Sequence, residues 1–360
     1  MPCDGFHNPP NCTFVAYSIN MFPMNRRLDF LWLIIVAMLM LAGCEATSSR
    51  SSGQNDRKET RETVVVPDFS ADSAYAFVAA QVAFGPRVPG SESHLACANW
   101  LSEKMANYAD TVIRQPFRTR LYNKSASDGL NIIGIFNPGA AKRILLAAHW
   151  DTRPYADHDP DPTFHRTPFD GANDGASGVG VLLEVARQLS LQPLNDKLGV
   201  DIVFFDLEDY GPPTDERQQG DDDFWALGSQ HWARNPHIKG YHARFGILLD
   251  MVGARGAVFP REYFSQQYAS WVLDKAWRTA FNLGYGDYFV NKPGPPITDD
   301  HLPVNRIAGI PMINIIHLNT GSSNGSFFEH WHTMKDNMEQ IDSKTLGMVG
   351  EVVVHVVYAE

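Results

Sequence analysis

With 360 residues, 44% of them hydrophobic and 11% aromatic, the chain is long enough to bury one large core. Its formal net charge of −11 argues against a nucleic-acid binder, whose affinity rests on basic groups paired with phosphates. Of its four cysteines only Cys97 lies beyond residue 44, so the body of the chain has no intramolecular disulfide framework.

The first segment reads as an export signal rather than as part of the core. From Met24 the chain carries Arg26 and Arg27, an apolar stretch from Phe30 to Leu41, and small residues before Cys44. That run is too short for a comfortable membrane span and fits a signal peptide over residues 24–44. Leu41-Ala42-Gly43-Cys44 resembles the bacterial lipobox, in which the cysteine is lipidated and becomes the new N-terminus. The expectation is an exported lipoprotein held to a membrane through Cys44, facing the periplasm or the cell exterior; an uncleaved anchor would leave the body in the same place. Residues 1–23 read as an upstream start called in error, because an export signal normally begins with its own basic segment. Residues 45–67 are mostly polar, lack apolar periodicity, and read as a flexible tether to a domain spanning 68–360.

In that domain, Ser70 to Ala83 has helical character with Ser70 as the cap, and the segment Gly85 to Gly90 breaks it. A second helix is expected from Ser91 to Tyr108. Two strands follow, Thr111 to Arg118 and Asn131 to Phe136, separated by a polar loop. The apolar run Ile144 to Ala148 then meets His149-Trp150-Asp151, and a long connection rich in Pro, Asp and Gly runs from Thr152 to Ala176. Such length without obvious structure points to a functional loop. Leu182, Val185, Ala186 and Leu189 supply the spacing of a helix that packs on a sheet.

Val200 to Phe205 reads as a buried strand interrupted only by Asp201, and it stops at Asp206, Glu208 and Asp209. Three acids after a buried strand would repel one another, so solvent, a cation or a bound proton must compensate. Gly211-Pro212-Pro213 leads into an acidic loop in which Asp221-Asp222-Asp223 reads as solvated. Helical spacing resumes from Trp225 to Asn235. A third apolar run, Phe245 to Leu249, ends at Asp250. Tyr263 to Leu283 reads as one long helix, and Ile310 to Ile316 as a strand with Pro311 tolerated near its start. A final helix begins near Ser343, with Leu346, Val349, Val353 and Val356 on one face. Alternating strands and helices predict an α/β three-layer sandwich: a mostly parallel central sheet with helices on both faces.

In such a sheet, ligands bind beyond the carboxyl ends of the strands, so the three runs that end in His or acid converge on one site. Five residues are candidate metal ligands: His149, Asp174, Asp209, Asp250 and His332. Asp174 lies among small residues, Gly171 to Gly178, where backbone and ion can approach closely. Nitrogen and oxygen donors without cysteine fit a catalytic zinc better than a structural one. Any one of the five alone would read as an ordinary turn acid or core histidine.

Together, His149-Trp150-Asp151, the segment around Asp174, Glu208-Asp209, Asp250 and His332-Thr333 resemble the zinc aminopeptidase superfamily and its glutaminyl cyclase branch. The likeness covers nearly everything from Asp68 to Glu360. Ile297 to Pro303, Trp331 before His332, Phe205 to Gly211, and Phe84 to Gly90 pull toward the cyclase branch. That resemblance implies one zinc on Asp174, Asp209 and His332, with His149 and Asp250 present but not necessarily bound to metal. It further implies that Glu208 shuttles a proton during ring closure of an N-terminal glutamine, with Asp250 and Asp299 raising its proton affinity. Trp225, Phe327 and Trp331 would wall the pocket, although each could equally be core. The substrate would be a peptide or protein N-terminus. A two-zinc exo-aminopeptidase using all five ligands is the alternative, and a binding protein that has lost turnover is a third reading that the intact Glu208 opposes. Two positions depart from the animal cyclases: Asp209 stands where they usually carry Glu, and Asn314 where they carry His.

Overall fold

The computed structural model describes residues 65–360; the expected signal segment, Cys44 and all but the last three residues of the tether lie outside them. The first described helix, α1, is Ala71–Val82, and it begins where expected because the Ser70 hydroxyl accepts the Ser73 N–H at 3.2 Å. Helix α2, Glu92–Ala106, starts in the same way, with Ser91 accepting from the His94 N–H at 3.1 Å. Each cap satisfies an amide that the helix itself cannot.

Strands β1 (Thr111–Arg120) and β2 (Ala126–Phe136) form an antiparallel hairpin whose register runs from Thr111–Ile135 to Arg120–Ala126. The polar loop expected between them is therefore mostly strand. Side chains there are largely exposed, so no apolar alternation marks the pairing, and backbone hydrogen bonds extend the ladder unaided.

The remaining elements of the sheet are β3 (Lys142–His149), β4 (Leu198–Phe205), β5 (Phe245–Asp250) and β8 (Met312–Ile316). The order is β1-β2-β4-β3-β5-β8, and β4, β3, β5 and β8 run parallel. A separate two-stranded pair joins β6 (Phe259–Arg261) to β7 (Phe289–Pro293). Helices α3 (Ala176–Leu191), α4 (Leu227–Arg234), α5 (Tyr263–Asn282) and α6 (Ser343–Tyr358) complete the layers. Helix α5 is not the unbroken helix expected, because Ala269 leaves helical geometry at φ −142° and ψ 40°. Among the described residues no helix is long and apolar enough to cross a membrane.

The central strands are buried on both faces, which is why they read as continuous apolar runs. Ile144, Leu146 and Ala148, with Val200, Ile202 and Phe204, pack into the larger core beside α1, α3, α5 and α6. Leu145, Ala147, Val203 and Phe205 face the opposite layer, against Trp232 of α4 and Val304. The predicted α/β sandwich, mostly parallel with helices on both faces, is the architecture observed.

Asp201, the one polar break in β4, is fully buried. Arg143 of the neighbouring β3 donates to its carboxylate through Nε at 2.5 Å and Nη2 at 2.7 Å, and the Tyr241 hydroxyl donates at 2.7 Å. A buried charge of this kind is tolerated only while its partners remain. Replacing Arg143 with Met is expected to lower stability by about 3–5 kcal/mol, because the Asp201 carboxylate loses its counter-charge; the denaturant midpoint of the variant checks this.

Candidate active site

The parallel strands end flush. His149 pairs with Phe205, and Asp250 with Ile316, so the residues that follow each strand emerge on one edge of the sheet. Beyond β4 the three acids separate. Asp206 turns away and takes His94 Nε2 at 3.0 Å together with the Leu130 N–H at 2.7 Å, and His94 stacks on Trp150. Glu208 and Asp209 turn into the pocket. Their backbone is held by Asp151, whose two oxygens accept the amides of Glu208 at 3.1 Å and Asp209 at 3.2 Å. Leu207, Met251 and His332 adopt left-handed backbone, at φ 56°, 48° and 54°. Such conformations cluster where surrounding structure fixes a functional side chain.

Asp174 is positioned from below by Asp336, which accepts the amides of Asn173 at 2.8 Å and Asp174 at 3.1 Å. Arg87, in the segment that breaks α1 from α2, donates to the carbonyls of Asp170 and Gly171. The next residues must be small. A Cβ at Gly175 would lie 2.5 Å from His149 Cε1, and one at Gly178 would lie 2.3 Å from the Leu249 carbonyl oxygen. The start of α3 therefore rests directly on the ends of β3 and β5.

These elements bring all five expected ligands together. His332 Nε2 lies 3.2 Å from Asp209 and 3.4 Å from Asp174; His149 Nε2 lies 3.1 Å from the other oxygen of Asp174 and 3.3 Å from Asp250. Two sets result, Asp174–Asp209–His332 and His149–Asp174–Asp250, each with ligand atoms within 4.8 Å of one another. Asp174 belongs to both. Oxygens of Asp174, Asp209 and Asp250 are buried without a hydrogen-bond donor. Converging orphan carboxylate oxygens beside an imidazole nitrogen fit a divalent zinc ion.

The protein groups alone do not balance the charge. Burial pushes the carboxyl of Glu208 well above its ordinary range; His149 opposes this, while Asp299, Asp209 and Asp300 add to it. Burial and then Asp250 push Asp299 up to about 7. Burial works against charge on His332, yet Asp209, Asp157 and Asp174 hold its pKa at about 10. A bound cation would relieve the crowding of acids directly.

The pocket above this cluster holds about 330 Å³ of empty space and is lined by Glu208, Asp250, Asp299 and the three expected aromatics, Trp225, Phe327 and Trp331. Trp331 stacks on His332 at 3.7 Å between centroids, Phe327 packs on Trp331 at 4.4 Å, and Trp225 lies parallel to His332 at 6.4 Å. The Trp225 indole N–H is buried and has no partner. Asn314 donates to Asp299 Oδ2 at 2.5 Å and so orients that carboxyl.

No residue between 152 and 170 lines the pocket; the long connection braces it instead. Asp157 faces His332 Nδ1 at 3.4 Å and is gripped by Arg153 at 3.0 and 2.7 Å. The reading of the sequence missed Arg153, Asp157 and Asp336. Asp157 is one of several acids in an acidic loop, and nothing in the local sequence sets Asp336 apart from a solvated acid.

Residues 131–357 match the model of Peptidase family M28. The chain is 48% identical to a solved glutaminyl cyclase of Bacteroides thetaiotaomicron bound to N-acetylhistamine, with a TM-score of 0.79 over 82% of this chain and 100% of that one. A solved Zn-dependent exopeptidase from Parabacteroides distasonis is 49% identical, with a TM-score of 0.80 and the same coverage. The glutaminyl-peptide cyclotransferase of Gloydius blomhoffii is 28% identical over 283 residues, 71% of this chain and 69% of that protein.

Because Asp157 orients the imidazole that would hold metal, Asp157→Ala is expected to weaken zinc affinity by about 10- to 100-fold. Competition against a graded chelator, read as zinc retained per chain, measures it.

Proposed function

The chain belongs to peptidase family M28, and within that family we propose that it converts the N-terminal glutamine of peptides or proteins to pyroglutamate with release of ammonia. The observation that carries this reading is the match to solved glutaminyl cyclases across the whole described domain, with a buried glutamate set beside the metal-ligand cluster in an aromatic pocket. Asp174, Asp209 and His332 are the proposed zinc ligands. When bound there, zinc supplies positive charge for the γ-carbonyl oxygen of the substrate.

The bond that forms joins the substrate's α-nitrogen to its own side-chain carbonyl carbon; the bond that breaks releases the side-chain nitrogen. The proton lost by the amine must reach the departing nitrogen. Glu208, raised in proton affinity by burial and by Asp299, is the group proposed to accept and return it. No water takes part, so walls of Trp225, Phe327 and Trp331 suit the chemistry by excluding it. The Trp225 N–H, free of any protein partner, is available to the bound glutamine.

One zinc is proposed rather than two. The support is the resemblance to the glutaminyl cyclases, which implies one ion on Asp174, Asp209 and His332; the His149–Asp174–Asp250 set is spaced like the chosen one and does not itself decide. A two-zinc exo-aminopeptidase would instead use that second set and a metal-activated water.

Glu208→Gln is expected to lower turnover of a glutamine-initiated peptide by about 10²- to 10⁴-fold while retaining one zinc per chain. Mass spectrometry of ammonia loss, with a leucine-initiated control and metal analysis of the same sample, checks both. Stepwise loss of N-terminal residues with two zincs would overturn the assignment.

The N-terminal segment is proposed to export and anchor the enzyme. Support comes from Arg26 and Arg27 ahead of an apolar run that closes at Leu41-Ala42-Gly43-Cys44. Cys44→Ser is expected to move the protein from the membrane fraction to the soluble one, as fractionation followed by immunoblotting would show.

A further inference from the structure

The catalytic pocket opens into a second space. Trp225, Thr298 and Asp299 line both, and this groove adds about 770 Å³ between the start of α4 and the turn Val304–Ala308. A glutamine held by its amine and side chain leaves its own carbonyl, and every residue after it, to exit the pocket. The groove that shares three lining residues with the pocket is the continuous path for that chain.

Its far wall is cationic in a particular way. Arg306 is exposed, its guanidinium lies over Phe264 at 5.1 Å and Tyr268 at 6.0 Å, and its Nε donates to the Tyr268 hydroxyl at 3.1 Å. Stacking and that single bond order the side chain yet leave its terminal N–H groups free to donate. Arg234, also on the groove, donates to Gln230. Among the described residues neither arginine is paired with a carboxylate. Of the two acids on the groove's outer rim, Asp222 is neutralised by Arg217 at 2.9 Å, leaving Asp223.

We infer that this groove binds the residues following the N-terminal glutamine and that Arg306, aided by Arg234, selects an acidic side chain among them. The inference rests on the cyclase reading and adds a preference in the substrate beyond the reacting residue. Arg306 acts here in specificity, outside the chemistry of ring closure.

The test is a set of peptides that begin with glutamine and carry Glu or Lys at position 2, 3 or 4, with alanine elsewhere. In the wild-type enzyme kcat/KM is expected to favour Glu over Lys by roughly two- to fivefold at one of these positions, the range set by an exposed ion pair. Arg306→Glu should erase or reverse that preference, and raising salt should shrink it. The preference is a ratio within one protein, so partial loss of folded enzyme cancels. Equal rates for Glu and Lys at all three positions, or a preference unchanged in Arg306→Glu, would overturn the inference. Glutamine amide, which has nothing to place in the groove, tests the underlying reading separately: if the wild-type enzyme releases no ammonia from it or from any peptide, the cyclase assignment itself fails.

Discussion

Crowded negative charge at one edge of the sheet is the constraint on which the rest of the structure depends. Asp174, Glu208, Asp209, Asp250 and Asp299 all line one pocket and all are buried. Buried carboxylates repel one another and forgo hydration, so each must be held in place by something outside the cluster. Asp151 grips the backbone of Glu208 and Asp209, Asp336 grips that of Asp174, and Asn314 holds Asp299. Without an ion, His149 and His332 offset part of the negative charge, and His332 gives up its proton when it holds a metal. A divalent cation on the proposed ligands would supply the remainder, and in the proposed reaction Glu208, raised in proton affinity first by burial, is the group that takes the proton.

The braces are as informative as the ligands. His332 is oriented on one side by Asp157 and flanked on the other by Trp331. The long connection after β3, which composition marked as functional, contributes through Asp157 and Arg153 beneath the site rather than by covering it. Asp206 shows the opposite solution: it immediately follows the same strand, yet it is removed from the cluster by its pairing with His94.

The central strands were legible because burial on both faces writes an unbroken apolar run, and their endings were legible because His149, Glu208, Asp209 and Asp250 interrupt such runs abruptly. The first helix was legible from its helical character and the Ser70 cap, and the second from its apolar positions, with Ser91 found to cap it. The polar extension of the β1–β2 hairpin was not, since backbone pairing between exposed side chains leaves no pattern. Asp157 and Asp336 were hidden for a different reason. An acid that accepts a backbone amide or orients an imidazole has the same local sequence as a solvated one, and only the path of the chain separates them. The five candidate ligands came together because three of them close apolar runs that meet at one sheet edge, and the family resemblance then singled out Asp174, Asp209 and His332. The break at Ala269 has no counterpart in the sequence and no cause that its neighbours reveal.

The ties from Asp336 to the amides of Asn173 and Asp174 cross 163 and 162 residues of sequence. The segment that supplies Asp336 also supplies Phe327, Trp331 and His332, while Asp174 lies just before α3 and Asp209 just beyond β4. Assembling such a site carries the entropic cost of closing several long loops before its donors meet. Local opening of this late segment would remove a ligand, two pocket walls and the brace of a second ligand in a single event. Opening of residues 327–336 as one unit would couple ion affinity to substrate affinity, and amide exchange in that segment would report on both.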